Sequence, residues 1–247
     1  MVNQYSNDTA AKFVQDKIRE IVKDPLVAES LCPTDYSLGA KRLCLDTDYY
    51  RTYNRENVTL VDLRKEELQR ITGTGVQTSL RHLDLDAIVF ATGFDAMTGS
   101  MLRIDIRGAG GVSLRERWAE GPRTYLGVMT AGFPNLFIVA GPGSPSVFSN
   151  MVMAIEQQVE WLTRLLQQMR ADKRAQIDAK PEAEARWVKT VNDVAKPTFF
   201  MKAASWYLGA NVPGKPKVFM PFAGGLNVYR DICDDVAAKK YEGFERS

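Results

Sequence analysis

The sequence predicts an α/β fold, and three stretches of the chain carry that prediction. An unbroken apolar run at residues 87–91 stops at Gly93, and a second run at 136–140 leads directly into Gly141. Apolar positions at spacings of three and four then follow over 152–169. Such runs are typical of parallel strands buried on both faces, and open α/β sheets bind their ligands just beyond the carboxyl ends of those strands. We therefore expect two buried strands, each ending in a glycine turn, and one long helix after the second.

Shorter elements are expected before, between and after these stretches. Polar capping residues precede apolar positions at helical spacing near the start of the chain, and Pro25 ends that helix. Glycines at 73 and 75 indicate a hairpin turn. The other expected elements are helices at 26–31, 114–119 and 229–238, a polar solvated helix within 173–195, and strands at 57–61 and 218–222.

Composition excludes several classes of partner. The chain has 247 residues, of which 45% are hydrophobic and 25% charged, which is ordinary globular material for one large or two small domains. The net charge of +2 provides no basic surface for nucleic acid. No apolar run reaches the roughly 20 residues that span a bilayer, and the first residues lack a basic and apolar signal. We expect a soluble cytoplasmic protein that binds neither nucleic acid nor membrane.

The cysteines and the histidine limit the chemistry further. Cys32, Cys44 and Cys233 are an odd number of widely spaced thiols, so neither a disulfide framework nor a zinc site is expected. His82 is the single histidine, and it lies in a polar stretch typical of a solvated side chain. A Ser/His/Asp triad or a multi-histidine metal centre would have to be built around it alone. We expect no bound metal.

Eight short motifs occur in one order along the chain. They are Ser37-Leu-Gly-Ala-Lys-Arg42, Tyr49-Tyr-x-x-Tyr-Asn-Arg-x-Asn-Val58, Ala91-Thr-Gly-Phe-Asp95, Gly121-Pro-Arg-Thr-Tyr-Leu-Gly127, Phe133-Pro-Asn-Leu-Phe137, Gly141-Pro-Gly-Ser-Pro145, Ile155-Glu-x-x-Val-Glu-Trp161 and Ser205-Trp-Tyr-x-Gly-Ala-Asn-x-Pro-Gly-Lys215. The third resembles the A-T-G-[FY] element of class B flavin monooxygenases. Together the motifs resemble the carboxyl-terminal half of Baeyer-Villiger monooxygenases, within that family the phenylacetone and cyclohexanone type.

The resemblance implies a partial flavoprotein fold. The family has two Rossmann-like dinucleotide-binding domains, one for FAD and one for NADP, and each begins with a G-x-G-x-x-G loop. Both loops, the strands around them and a histidine-containing fingerprint between them are absent from this sequence. We expect a helical segment at 1–35, the latter part of the NADP-binding domain at 36–90 and the latter part of the FAD-binding domain at 91–247. A truncated gene, a split gene with a separately encoded amino-terminal half and an excised segment are open alternatives.

The resemblance also implies an activity and a catalytic residue. The family uses FAD, NADPH and O2 to insert one oxygen atom into a ketone, giving an ester or lactone. Arg42 matches the arginine that the family places at the flavin, where a guanidinium keeps its charge at any working pH and can stabilise negative charge on the reacting oxygen. Lys41 would contact NADP, and Trp206 would hold the nicotinamide end.

The remaining site residues are implied in the same way. Cofactor contacts are expected from the turn and helix-start residues Thr92, Gly93, Gly141, Gly143, Asn150 and Met151, with the backbone N–H of Met151 meeting the flavin ring. The substrate pocket is expected from Ser146, Val147 and Phe148. With both pyrophosphate-binding loops absent, the chain alone should bind FAD weakly or not at all. Two alternatives stay open: an amine or sulfide monooxygenase of the same class, and a non-catalytic fragment that needs a partner half.

Overall fold

The computed structural model describes residues 2–247, which divide into two compact units, Asn3–Gly93 and Phe94–Ser247. Both units combine helices with short antiparallel strands, so the chain is of the mixed α/β class. In the first unit the elements are α1 (Gln4–Ile21), α2 (Pro25–Leu31), α3 (Tyr49–Thr52), β1 (Leu68–Ile71), β2 (Gly75–Thr78) and β3 (His82–Asp84). In the second they are α4 (Gly99–Leu102), α5 (Leu114–Arg117), α6 (Met151–Ala171), β4 (Ile177–Ala179), α7 (Pro181–Ala195), α8 (Leu226–Ala238) and β5 (Phe244–Arg246).

The first unit begins with the two expected helices. The side chain of Asn3 caps α1 by accepting a hydrogen bond from the Ser6 N–H at 2.9 Å, so the helix begins a few residues before the polar cluster that predicted its start. Asp24 caps α2 in the same way, and Pro25 occupies its first turn, where the missing N–H costs nothing. The two helices pack around a small buried cluster of Ile18, Val22, Ala28 and Cys32.

A three-stranded antiparallel sheet, in the order β1-β2-β3, completes the first unit. The predicted hairpin turn at 73–75 is confirmed, since it joins β1 to β2 with Ile71 opposite Val76. Gly75 has φ +158°, and a Cβ there would lie 1.9 Å from the Leu83 carbonyl oxygen, so the close approach of β3 requires glycine. This sheet is antiparallel throughout, unlike the parallel sheet that the sequence predicts.

The apolar run at 87–91, expected to be a strand buried on both faces, is neither a strand nor buried. Every residue from 84 to 94 is exposed, with Val89 at 88% and Phe90 at 69%. The expected strands at 57–61, 136–140 and 218–222 are likewise not formed. A strand forms through hydrogen bonds to a neighbour, and residues 2–247 provide only the antiparallel pairs β1-β2, β2-β3 and β4-β5. The predicted parallel sheet is therefore not formed by the described residues.

The second unit has a continuous aromatic and aliphatic core. Its largest fully buried side chains include Trp161 on α6, Tyr207, Phe222 and Tyr229 on α8. The stretch 173–195, expected to be a polar solvated helix, instead provides β4 and a helix, α7, that buries Trp187 against the Phe222 ring at a centroid distance of 5.3 Å. The prediction missed β4 because its partner, β5, lies at the far end of the chain.

Helix α6 is confirmed, and the face that packs on the core is partly the expected one. Of the apolar positions that predicted the helix, Leu162 and Met169 are buried, whereas Val152, Val159 and Leu166 are exposed. The buried face contains Ala154, Gln157, Gln158, Trp161, Leu162, Leu165 and Met169. Gln158 tolerates burial because its amide is paired: it accepts from the Ala140 N–H at 2.6 Å and donates to the Tyr229 hydroxyl at 2.8 Å.

Candidate functional site

The start of helix α6 is open to solvent and electrostatically positive. The side-chain oxygen of Asn150 caps the helix by accepting hydrogen bonds from the Val152 and Met153 N–H groups at 3.0 and 3.3 Å. The N–H of Met151 lies outside this cap, and Met151 is 38% exposed. The first N–H groups of a long helix carry a partial positive charge, so this end can donate to a carbonyl or anionic group. Its chemistry matches the role expected for Met151.

The glycine loop that precedes α6 is buried over residues 141–146, and its backbone makes hydrogen bonds within the protein. The Gly143 N–H donates to the Met220 carbonyl at 2.6 Å, and its carbonyl accepts from the Trp187 indole at 3.1 Å. A Cβ on Gly143 would lie 3.0 Å from both Thr124 Oγ1 and Trp187 Nε1. A Cβ on Gly141 would lie 2.6 Å from the Gly127 carbonyl oxygen. Close packing within the chain thus accounts for both glycines, without a ligand.

Between that loop and α6, a single 3₁₀ turn, Ser146–Phe148, places an aromatic side chain in a cluster. The Phe148 ring stacks on Phe200 with centroids 4.4 Å apart and meets Tyr207 edge-on at 4.8 Å. Ser146 is fully buried at a positive φ of 36°, and Val147 is half-buried. Of the three expected pocket residues, Ser146 is therefore enclosed, and Val147 and Phe148 retain partial exposure.

Trp206 belongs to the same aromatic cluster. Its half-buried ring lies 4.5 Å from the Tyr207 ring, which in turn contacts Phe148. The structure thus brings three of the predicted features together within the second unit: the pocket turn at 146–148, the α6 start at Met151 and the indole of Trp206. The half-buried Trp206 ring offers an aromatic face and the α6 start offers backbone N–H groups, which are the two kinds of contact that a planar polar ligand uses.

An ion pair that the sequence analysis missed fixes the loop that follows Trp206. Lys215 pairs with Asp95 and also donates to the Ala96 carbonyl at 3.1 Å, and only 10% of its side chain is exposed. Nearby, Asn211 donates to the Phe94 carbonyl at 3.0 Å. Asp95 and Lys215 are the last residues of two motifs in the sequence. Their opposite charges were therefore a signal from which this ion pair could have been predicted. The pair anchors the Trp206 loop to the segment after Gly93.

The other predicted cofactor residues lie in the first unit. The Lys41 ammonium lies over the Tyr36 ring, 4.2 Å from its centroid, and Arg42 is exposed. Thr92 and Gly93 are exposed, and Gly93 has a φ of 89°, which suits glycine. These four residues are accessible to a ligand, unlike the buried glycines of the second unit.

Buried titratable groups in the second unit have structural roles. The Glu184 carboxylate is fully buried, where it pairs with Arg117 and Arg123 and accepts the Ala131 N–H at 3.0 Å. Burial raises the pKa of the Cys233 thiol to about 12.

No group of three or more His, Cys, Asp or Glu side chains within residues 2–247 could hold a metal ion. No helix in that range is long and apolar enough to cross a membrane.

Comparison with curated proteins finds close relatives along nearly the whole chain. It is 42% identical over 243 residues to a Baeyer-Villiger monooxygenase of Pseudooceanicola batsensis, covering 98% of this chain and 43% of that protein. It is 41% identical to cyclohexanone 1,2-monooxygenase of an Acinetobacter species and 44% identical to phenazine N-monooxygenase PhzNO1 of Lysobacter antibioticus, covering 98% of this chain and 44% of each protein. The chain spans less than half the length of these relatives. No protein-family model matches it.

Solved structures resemble the whole chain in the same way. Oxidized steroid monooxygenase bound to NADP is 50% identical, with a TM-score of 0.92 over 100% of this chain and 46% of that one. The crystal structure of OTEMO in complex with FAD and NADP is 42% identical, with a TM-score of 0.95 over 100% of this chain and 45% of that one.

Proposed function

The chain belongs to the Baeyer-Villiger monooxygenase family, and we propose that it forms the carboxyl-terminal portion of an enzyme that inserts one oxygen atom into ketones. The single observation that carries the proposal is a match at about 42% identity over 98% of the chain to such an enzyme. The cofactors proposed are FAD and NADPH, and the substrates are a ketone and O2. Homologous structures contain FAD and NADP.

The start of α6 fits a flavin. A flavin ring carries carbonyl groups and ring nitrogens that accept hydrogen bonds, and the exposed helix start presents an N–H at Met151 outside the Asn150 cap. In the loop at 141–146, the N–H groups of Gly143 and Ser144 are bonded within the chain, so this loop would contact the flavin mainly through its close packing beneath the α6 start. Bound FAD would supply the oxygen chemistry, and NADPH would supply the hydride.

The Trp206 loop and Lys41 have the chemistry to bind a nicotinamide dinucleotide, and Arg42 has the charge to stabilise an oxygen that becomes negative. Trp206 offers a half-exposed flat face, and the adjacent Ser205 hydroxyl is buried with no hydrogen-bond partner among residues 2–247. Lys41 would pair with a phosphate of NADP. Arg42 would stabilise negative charge on the oxygen being transferred, because a guanidinium stays charged and does not give up its proton.

The proposed architecture is a pair of Rossmann-like domains completed by residues outside this chain. Residues 36–90 would belong to the NADP-binding domain and 91–247 to the FAD-binding domain, with 1–35 a helical segment. The division of the chain between Gly93 and Phe94 supports that boundary. Exposure of the apolar run at 87–91 supports the view that flanking strands lie elsewhere.

The proposed roles are tested by replacing Arg42 in an enzyme completed with the amino-terminal half of a relative. Arg42→Ala should leave anaerobic flavin reduction by NADPH within about threefold of the parent, while ester formation from a cyclic ketone falls at least about a hundredfold, as for loss of a group stabilising transition-state charge. Flavin absorbance follows the first step and gas chromatography the second. Arg55→Ala, an exposed arginine of the same unit, should change neither. Ester formation at the parental rate in Arg42→Ala contradicts the assignment.

Oxidation of a ring nitrogen is the second candidate function, because the relative from Lysobacter antibioticus is a phenazine N-monooxygenase at 44% identity. The pocket residues Val147 and Phe148 are apolar and suit either a ketone or a flat heteroaromatic substrate. Turnover of cyclic ketones and phenazines by the completed enzyme separates the two: ester or lactone products support the ketone assignment, and N-oxides as the only products would replace it.

A further inference from the structure

Lys41 and Arg42 lie in a segment, residues 32–48, that forms neither helix nor strand. Backbone without regular structure has no ladder of hydrogen bonds to fix it, so its position depends on contacts with neighbouring elements. The roles proposed for the two side chains require a fixed position, Lys41 at a phosphate and Arg42 at the reacting oxygen. The contacts that hold residues 32–48, which we call the Arg42 segment, therefore bear on both roles.

Helix α1 holds the Arg42 segment through an asparagine side chain. Asn7 is 8% exposed, and its amide makes two hydrogen bonds with the backbone of Leu38. The amide nitrogen, Nδ2, donates to the Leu38 carbonyl at 2.9 Å, and the Leu38 N–H donates to Oδ1 at 3.0 Å. An asparagine amide has both the donor and the acceptor that this pairing needs, whereas an ionised aspartate can only accept and alanine can do neither. We call this pair the Asn7 clamp.

A buried turn joins the clamp to Lys41 and Arg42. Ala40 is fully buried, and its N–H donates to the Ser37 carbonyl at 3.0 Å, so the residues on either side of Leu38 are held together. Lys41 and Arg42 follow this turn directly in the sequence. A shift of Leu38 would therefore move the turn and, with it, both side chains.

Two further hydrogen bonds tie α1 to this part of the first unit. Gln15 Nε2 donates to the Pro33 carbonyl at 2.7 Å, near the start of the Arg42 segment. Asn54, shortly after α3, donates through Nδ2 to the carbonyl of Ile21, the last residue of α1, at 2.8 Å. Helix α1 is itself fixed by the buried cluster that it shares with α2. The Asn7 clamp is the nearest of these three anchors to Arg42 in the sequence.

We propose that Asn7 is a positioning residue: through Leu38 it sets where Lys41 and Arg42 lie, and so it governs oxygen transfer by way of the Arg42 segment. The inference rests on the proposed function and gives α1 a role in the site beyond packing. A displacement of about 1 Å in a catalytic group can lower a rate by about a hundredfold. Loss of the clamp should therefore slow the step that uses Arg42.

The first test measures the motion of the Arg42 segment in the purified chain. Cys44 is exposed, whereas Cys32 and Cys233 are buried, so a nitroxide thiol reagent can be placed on Cys44, with the site confirmed by mass spectrometry. Asn7→Ala should make the nitroxide more mobile, seen as narrower lines in the electron paramagnetic resonance spectrum. Thr9→Ala, an exposed position on the same helix, is the matched control and should leave the spectrum unchanged.

Alanine favours helix, so both variants should keep α1, which circular dichroism verifies. A nitroxide that is equally mobile in Asn7→Ala and in the parent overturns the inference.

The second test uses the enzyme completed with the amino-terminal half of a relative. Asn7→Ala should reproduce the Arg42→Ala pattern in a weaker form. Anaerobic flavin reduction at saturating NADPH should stay within about threefold of the parent, while ester formation falls at least about tenfold, because the displaced guanidinium no longer meets the reacting oxygen. The KM for NADPH should rise about threefold or more, because Lys41 moves with the segment. Thr9→Ala should change none of these values.

A double variant separates positioning from general damage to the fold. If Asn7 acts through Arg42, adding Asn7→Ala to Arg42→Ala should cause no further loss of ester formation. The same fold-loss in both backgrounds would show that Asn7 only supports the fold, and it overturns the inference. A completed parental enzyme that forms no ester contradicts the proposed function, while the nitroxide on Cys44 separately supports or overturns the clamp.

Discussion

The second unit buries a continuous core, whereas the largest buried apolar cluster of the first unit is small and its most apolar run is exposed to solvent. In the second unit, α6, α7 and α8 enclose Trp161, Trp187 and Tyr229. In the first, the buried cluster between α1 and α2 is four aliphatic and thiol side chains, and Phe90 is 69% exposed.

The difference shows which secondary-structure elements find all their hydrogen-bonding and packing partners within this chain. Helices satisfy their own backbone, and those of the second unit find apolar partners within about a hundred residues. The apolar runs at 87–91 and 136–140 would need neighbouring strands to enter a sheet, and the described residues provide none. The apolar residues of this chain thus fall into two groups: those buried in the core of the second unit and those left exposed in unpaired segments. Substitutions in the two groups should differ in their effect on stability.

Thiol labelling should give the largest contrast. The pKa of the buried Cys233 thiol is about 12, so at neutral pH it has on the order of a thousand-fold less reactive thiolate than a thiol with the ordinary pKa of about 8.5. Burial also raises the pKa of Cys32. Cys44 is exposed. A thiol reagent at neutral pH should therefore label Cys44 first, as read by mass spectrometry, with all three thiols labelled in the unfolded chain. Rapid labelling of Cys233 in the folded chain would mean that the second core is open.

Removing an aromatic ring should cost stability only where the core is complete. Trp161 is 1% exposed, and its indole donates to the Cys233 carbonyl at 2.8 Å. Trp161→Ala should lower the free energy of unfolding by about 3–5 kcal/mol, as other large-to-small core changes do. Phe90→Ala is the matched change in the exposed run and should stay within about 0.5 kcal/mol of the parent. Urea unfolding followed by circular dichroism measures both. Equal losses would show that Phe90 is buried in the isolated chain.

The Asp95–Lys215 pair should have a smaller, local effect. Because the Lys215 side chain is only 10% exposed, Lys215→Met should destabilise the loop from Trp206 to Lys215 by about 1–3 kcal/mol, the range for hydrogen bonds to charged groups. Hydrogen exchange in that loop should accelerate accordingly. Lys217→Met, an exposed lysine two residues away, should leave exchange unchanged. If both variants behave like the parent, the pair does not anchor the loop.

Local patterns predicted most of the helices, and non-local contacts decided the rest. Pro25, Asn150 and the spacing of apolar residues were sufficient for α1, α2 and α6, because helix signals lie within a few residues of one another. The apolar run at 87–91 has the residue types of a buried strand, but the pattern does not show whether the strands that would pair with it belong to the same chain. The buried face of α6 was only partly predicted: Leu162 and Met169 are buried, but so is Gln158, because its amide finds partners on Ala140 and Tyr229, which no helical pattern shows.

The candidate site was predicted unevenly for the same reason. Trp206 could be selected from a motif, and the structure places the pocket turn and Trp206 in one aromatic cluster. Gly141 and Gly143 suggested a ligand cradle, yet packing against Gly127 and Trp187 accounts for them. The Asp95–Lys215 pair joins two segments 120 residues apart, which spacing within a motif does not reveal.

The central claim is that the exposed apolar run of this chain lacks neighbouring strands. Hydrogen–deuterium exchange on the purified chain, alone and with the amino-terminal half of the Acinetobacter relative, tests it. Alone, amides at 86–94 should exchange at the rate of an unfolded peptide, while those around Trp161 and Leu165 in α6 are protected. With the partner half bound, 86–94 should become protected as well. Protection of 86–94 in the isolated chain at the level of α6, or no gain on adding the partner half, would contradict the account.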